Sequence, residues 1–164
     1  MNKGQINFEF MLSVLVFLSI TGFLTIQIIN NVSAMRRALL LEDMKSSAYQ
    51  ISNILVFDKG YPEDWDENSV ERIGLASGFY NLSDEKISSL KRLCESENGY
   101  KKFLSVIGLG ISKDVYLNIS TNLGDTLALC APPVVSTIRS TVHISRTSFA
   151  EGSGVVKIDL RVIL

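Results

Sequence analysis

The sequence predicts an α+β protein: a long N-terminal α-helix, apolar in its first half and amphipathic in its second, packed against a C-terminal antiparallel β-sheet head. Three observations carry this. No residue between Glu9 and Arg36 is charged. An apolar stripe at spacings of three and four then runs on without a break as far as Asp58-Lys59-Gly60-Tyr61-Pro62. At the other end Val156, Ile158, Leu160, Val162 and Leu164 alternate with Lys157, Asp159 and Arg161, the period of a half-buried strand.

From Phe10 to Ile29 the chain reads FMLSVLVFLSITGFLTIQII, with no Pro and a single Gly, Gly22. At ~1.5 Å per residue this run is about 30 Å long, the thickness of a hydrocarbon core. Arg36 and Arg37 place positive charge beyond its far end. A secretory signal has an apolar region of only roughly 7–15 residues before its cleavage site; Val32-Ser33-Ala34 has the composition of such a site, but the run is too long. A plain transmembrane anchor leaves Glu9 unexplained. Translocon scales put Asp at roughly 2.5–3.5 kcal/mol at a helix centre and less near the interface, so the carboxylate needs a partner.

Met1-Asn2-Lys3-Gly4 is a short, charged leader ending in Gly, followed at once by Gln5-Ile6-Asn7-Phe8-Glu9-Phe10. Lys3-Gly4-Gln5 and Glu9, directly followed by the apolar run, resemble the N-terminus of archaeal type IV pilins carrying a class III signal peptide. The resemblance covers the leader and the apolar run. It implies that a prepilin peptidase cuts between Gly4 and Gln5, so that residues 1–4 leave and the apolar segment stays. Glu9 then becomes the fifth mature residue, where pilins carry their glutamate. It also implies a pilin-like fold, other pilin subunits and the pilus assembly machinery as partners, and a membrane-inserted precursor that becomes an extracellular filament. Cleavage would free an α-amino group at Gln5, mostly protonated at neutral pH with a pKa near ~8. Positions i and i+4 share a helix face, so Gln5 and Glu9 form the assembly pair within one chain or between neighbours. Cyclisation of Gln5 to pyroglutamate would remove that amine.

Residues 5–57 read as one rod of about 80 Å, with 5–30 suited to lipid or a filament core and 31–57 to packing on the head. In the second part Leu41, Met44, Ala48, Ile51 and Leu55 form the stripe, and Glu42, Lys45, Gln50 and Asn53 occupy other faces. Gly60 and Pro62 are stop signals. Residues 58–164 suffice for a compact core. They open on the acidic loop Glu63-Asp64-Trp65-Asp66-Glu67-Asn68. Asp64, Asp66 and Asn68 match the start of a calcium loop, but Ser69 stands where Gly is needed and Leu75 where the closing Glu belongs. The segment reads as a solvated turn with Trp65 tucked beneath it, and no metal or cofactor is expected. Gly60-Tyr61-Pro62, Trp65 and Ile73-Gly74-Leu75-Ala76 are similar to a segment of some archaeal class III signal proteins.

Ser83 is a helix N-cap, with Asp84 and Glu85 at the positive helix start. Ile87, Leu90 and Cys94 mark the inner face of that helix, and Lys91 and Arg92 its closing turn. After Asn98-Gly99, the residues Tyr100, Phe103, Leu104 and Ile107 suggest a short helix stopped by Gly108. Strands follow. Val115, Leu117 and Ile119 alternate with Tyr116, Asn118 and Ser120; Leu127 and Leu129 precede Pro132-Pro133. Ile138, Val142 and Ile144 alternate with Arg139, Thr141, His143 and Ser145, and Glu151-Gly152-Ser153-Gly154 supplies a turn to the last strand. Short connections imply an antiparallel sheet with one solvated face, its apolar face covered by the Leu41–Leu55 stripe.

Cys94 and Cys130 end a helix and a strand; in a head outside the cell a disulfide is the expected state, two buried thiols the alternative. Asn81-Leu82-Ser83 and Asn118-Ile119-Ser120 are N-glycosylation sequons on the expected outer side, with Asn118 pointing outward by strand parity; Asn31-Val32-Ser33 sits at the membrane edge. Lys and Arg number 16 against 17 Asp and Glu, which argues against a nucleic-acid-binding stripe. One His and two Cys cannot make a four-ligand zinc site. No Gly-rich phosphate loop or nucleophile elbow occurs, and His143 shares its face with Thr141 and Ser145, so no enzyme is expected. The sequence thus points to a major or minor pilin-like subunit with a role in adhesion or surface attachment. The alternative is a membrane-anchored extracellular binding domain that does not polymerise.

Overall fold

A computed structural model describes residues 3–108, 113–133 and 140–164, without the side chains of residues 3–7 and 33. Helix α1 (Lys3–Phe57) opens the chain, which divides into two units, Met1–Leu40 and Leu41–Leu164. In the first unit the helix is long and apolar enough to cross a membrane, and none of its most apolar window is buried. Its hydroxyls are satisfied locally: Ser13 Oγ donates to the Glu9 carbonyl (2.9 Å), Ser19 to Leu15 (2.8 Å) and Thr25 to Thr21 (2.8 Å). The run therefore presents almost no open polar group to its surroundings, as a segment in hydrocarbon requires.

The second unit begins with the last turns of α1. Met44, Ala48, Ile51 and Leu55 are buried, as the stripe predicts, and so is Val56, but Leu41 is exposed. The edge of the head lies at this level, where Lys113 Nζ bridges Asp43 (2.6 Å) and Ser47 (3.0 Å), so the apolar contact starts one turn later. Beyond Phe57 the chain turns through Gly60 at φ +80°. Trp65 is buried and donates from Nε1 to the Gly74 carbonyl at 2.9 Å. A Cβ on Gly74 would fall on the Asp58 carbonyl and the Gly60 nitrogen, so only glycine lets these two segments close over the indole. The acidic loop is a turn wound around Asp66, whose Oδ1 accepts from the Asn68 and Ser69 amides and the Ser69 hydroxyl.

Strands β1 (Ala76–Gly78) and β2 (Asn81–Leu82) come next, then α2 (Asp84–Glu95) and α3 (Gly99–Val106), then β3 (Asp114–Thr121), β4 (Thr126–Cys130), β5 (Thr141–Ala150) and β6 (Gly154–Ile163). Among the described residues they form one six-stranded sheet in the order β1-β2-β5-β6-β3-β4. All pairs are antiparallel except β2 with β5, which is parallel. The fold is α+β, with the last part of α1 on the antiparallel-rich sheet. Strands β1 and β2 are too short to carry a periodic signal, and the expectation for Ile138 and Arg139 lies outside the described residues.

One cluster unites the core: Ile51 and Leu55 of α1, Leu90 and Phe103 of α2 and α3, and Val115, Leu117, Ile158 and Leu160 of the central strands. Burying such side chains is the main source of stability, about 1.5–3 kcal/mol each. In β4, Ala128 and Cys130 face the core and Leu129 is exposed. One expectation is corrected here. In α2, where the sequence pattern places Cys94 on the inner face, Leu93 is buried and Cys94 only half-buried, bridged to Cys130 of the edge strand β4.

Candidate functional site

Two surfaces stand out. The first is the N-terminal part of α1. The Gly4–Gln5 bond lies in its first turn and Glu9 in its second, exposed, with Phe8, Phe10, Met11 and Leu12 exposed around it. The side chain of Gln5 lies outside the described residues, so the Gln5–Glu9 pair cannot be read from contacts. Among the described residues this apolar surface is exposed, whereas Met44, Ala48, Ile51 and Leu55 of the same helix are buried.

The second is the head. Cys94 and Cys130 form a disulfide, Cα–Cα 5.2 Å, tying α2 to β4. Both sequon asparagines lie in strands. Asn81 donates from Nδ2 to Glu151 Oε1 (3.2 Å), and its Oδ1 is buried with no partner among the described residues. Asn118 is on the outer face, as parity predicts, but half-buried, and its Oδ1 too is buried with no partner among them. Leu82 is fully buried and Ser83 Oγ caps α2, accepting from the Lys86 amide. The outer sheet face centres on Asp159, which meets His143 Nε2 (3.1 Å) and Lys157 Nζ (2.9 Å). Burial opposes its charge, but hydrogen bonds from Lys157, Ser145 and His143 outweigh that and hold its pKa below the usual carboxylate value. Arg161 stacks over the Tyr116 ring at 5.3 Å. Among the described residues no group of three or more His, Cys, Asp or Glu side chains is placed to hold a metal ion.

Where α1 ends, an open groove of about 700 Å³ is lined by Phe57 and Tyr61 together with Asn53, Asp58, Glu63 and Arg72. Asp58 Oδ1 accepts from the Gly60 amide (2.8 Å) and from Arg72 Nη2 (3.2 Å). Asn53 Oδ1 accepts from Arg146 Nη2 at 2.9 Å. Lys59 pairs with Glu63 and, by that hydrogen bond and its charge, lowers the Glu63 pKa. Beyond Phe57 the aromatic surface continues edge-to-face through Tyr80 (5.0 Å) to Phe79 (4.7 Å). Tyr80 has φ +55° and is held by Ser148 Oγ, which donates to its carbonyl at 2.9 Å. The sequence reading did not see this groove. Its lining residues, spread from Asn53 to Arg72, form no motif; Phe79-Tyr80, two adjacent aromatics in a turn between Gly78 and Asn81, lie outside that lining.

Compared with known proteins, the chain matches no protein-family model, no curated protein and no solved structure.

Proposed function

We infer that the protein is a pilin-like subunit of an archaeal type IV surface filament, processed between Gly4 and Gln5 and assembled through its apolar N-terminal helix. The observation that carries this reading is a charge-free helical surface, unburied in its own chain, with a carboxylate at its threshold and a folded head after it. In the membrane that surface is covered by lipid; in a filament it is covered by the same segment of neighbouring copies. Glu9 is then neutralised by the freed amine of Gln5, its own or a neighbour's, which couples axial register to charge pairing. The head is displayed outside, for adhesion or as filament surface, in major or minor copy number.

Mass spectrometry of the native protein tests the processing step. A mature chain starting at Gln5, free or cyclised, is expected, and an intact Met1 would remove the reading. Glu9→Ala should reduce incorporation into filaments while leaving membrane insertion intact. Insertion without any polymer in the wild type would instead favour an anchored binding domain.

A further inference from the structure

We propose that the groove lined by Phe57 and Tyr61 binds a neutral saccharide chain. The proposal deepens the adhesive part of the function above and rests on it for the head being outside the cell, but not on polymerisation. The groove offers two exposed aromatic rings, on which the C–H face of a sugar ring can lie. The lining also holds planar polar groups oriented by internal hydrogen bonds, two at Asp58 Oδ1 and one each at Asn53 Oδ1 and Arg72 Nη2, and left with open valences. Asp58 keeps Oδ2, Asn53 keeps Nδ2 and Arg72 keeps the rest of its fork, with no partner for these atoms among the described residues. Carboxylate, amide and guanidinium together donate to and accept from hydroxyls, which is how adjacent hydroxyls are read.

Charge decides against other ligands. Asp58 is balanced by Arg72 and Glu63 by Lys59, so the groove favours neither an anion nor a cation. An apolar protein surface laid across it would desolvate both ion pairs, a cost that aromatic contact does not offset. The volume is that of a small-ligand site, within the usual span of about 300–1,000 Å³. Its open form suits a chain lying along the surface, with Tyr80 and Phe79 extending the stacking shelf for further rings.

The test is calorimetric titration of the full chain in detergent micelles with neutral tri- to hexasaccharides of glucose, mannose, galactose and N-acetylglucosamine. Saturable binding of at least one series is expected. Tyr61→Ala and Arg72→Ala should each weaken it about tenfold, Tyr61→Phe should retain it, and Leu123→Ala, on the exposed β3–β4 turn, should not change it. Both Tyr61 and Arg72 carry exposed side chains, so these variants keep the fold, checked by circular dichroism. No binding by any series, or binding unchanged in Tyr61→Ala and Arg72→Ala, overturns the proposal. So does self-association in the wild type that Tyr61→Ala abolishes, because it would assign the groove to a protein contact. Processing at Gly4–Gln5 and filament incorporation are read separately, so either reading can fail without the other.

Discussion

The two ends of α1 are made of similar side chains and do opposite things. Leu18 and Leu24 are more than half exposed, whereas Leu55 is fully buried. What separates them is distribution around the helix. The first half is apolar on every side and unburied among the described residues; the second half is apolar on one side and closes the core of its own head. Hydrophobicity alone says that a segment must be covered, and its distribution around the axis says whether the cover is self or other.

The sharpest way to break the comparison is to remove the same group from each half. Leu55→Ala should cost the head about 2–5 kcal/mol, whereas Leu18→Ala should leave its denaturant midpoint unchanged; equal effects would mean that the first half also packs on the head. Next comes the covalent tie. Replacing Cys94 and Cys130 together by Ser opens a loop with a sequence separation of 36 and should cost the head about 4 kcal/mol in the chain-entropy model, read as a lower urea midpoint with the membrane fraction unaltered. The opposite perturbation is Leu18→Asp. It should add roughly 3–4 kcal/mol to insertion of the helix, the cost of Asp plus the lost contribution of Leu, and shift the protein out of the membrane fraction, while the head unfolds as before.

How much of this was legible in the sequence follows the same division. The apolar run, the stripe from Met44 to Leu55 and the strict alternation of β6 are long and periodic, so they could be read directly. Leu41 was misread because the point where a stripe meets its partner depends on the edge of the head, which Lys113 and Asp43 mark from far apart in sequence. Cys94 was placed on the inner face of α2, but it is Leu93 that is buried, while Cys94 is half-buried and bridged to Cys130 of β4. The parallel β2–β5 pair escaped notice because two residues carry no period. The groove was illegible for a different reason: Asn53, Phe57, Tyr61 and Arg72 meet only because Gly60 and Gly74 let the chain fold back on itself.

The smallest effect tests how the head's polar contacts support its apolar core. Tyr100 OH donates to Asp114 Oδ1 (3.0 Å) or the Val115 carbonyl (3.1 Å) and accepts from the Val115 amide at 2.9 Å, tying α3 to the start of β3. Tyr100→Phe leaves that amide, on a fully buried residue, without its partner, which should cost about 1–3 kcal/mol. Burial first, then the Asp114 carboxylate, pushes the phenol up to about 12 from 10.0, although the Val115 backbone bond works the other way. Because the folded pKa is the higher one, this stabilisation is complete below pH 10 and is lost as pH rises from there through 12. The urea midpoint of the wild type should therefore fall more steeply above pH 10 than that of Tyr100→Phe, and parallel alkaline limbs would show that the hydroxyl is solvated rather than held between α3 and β3.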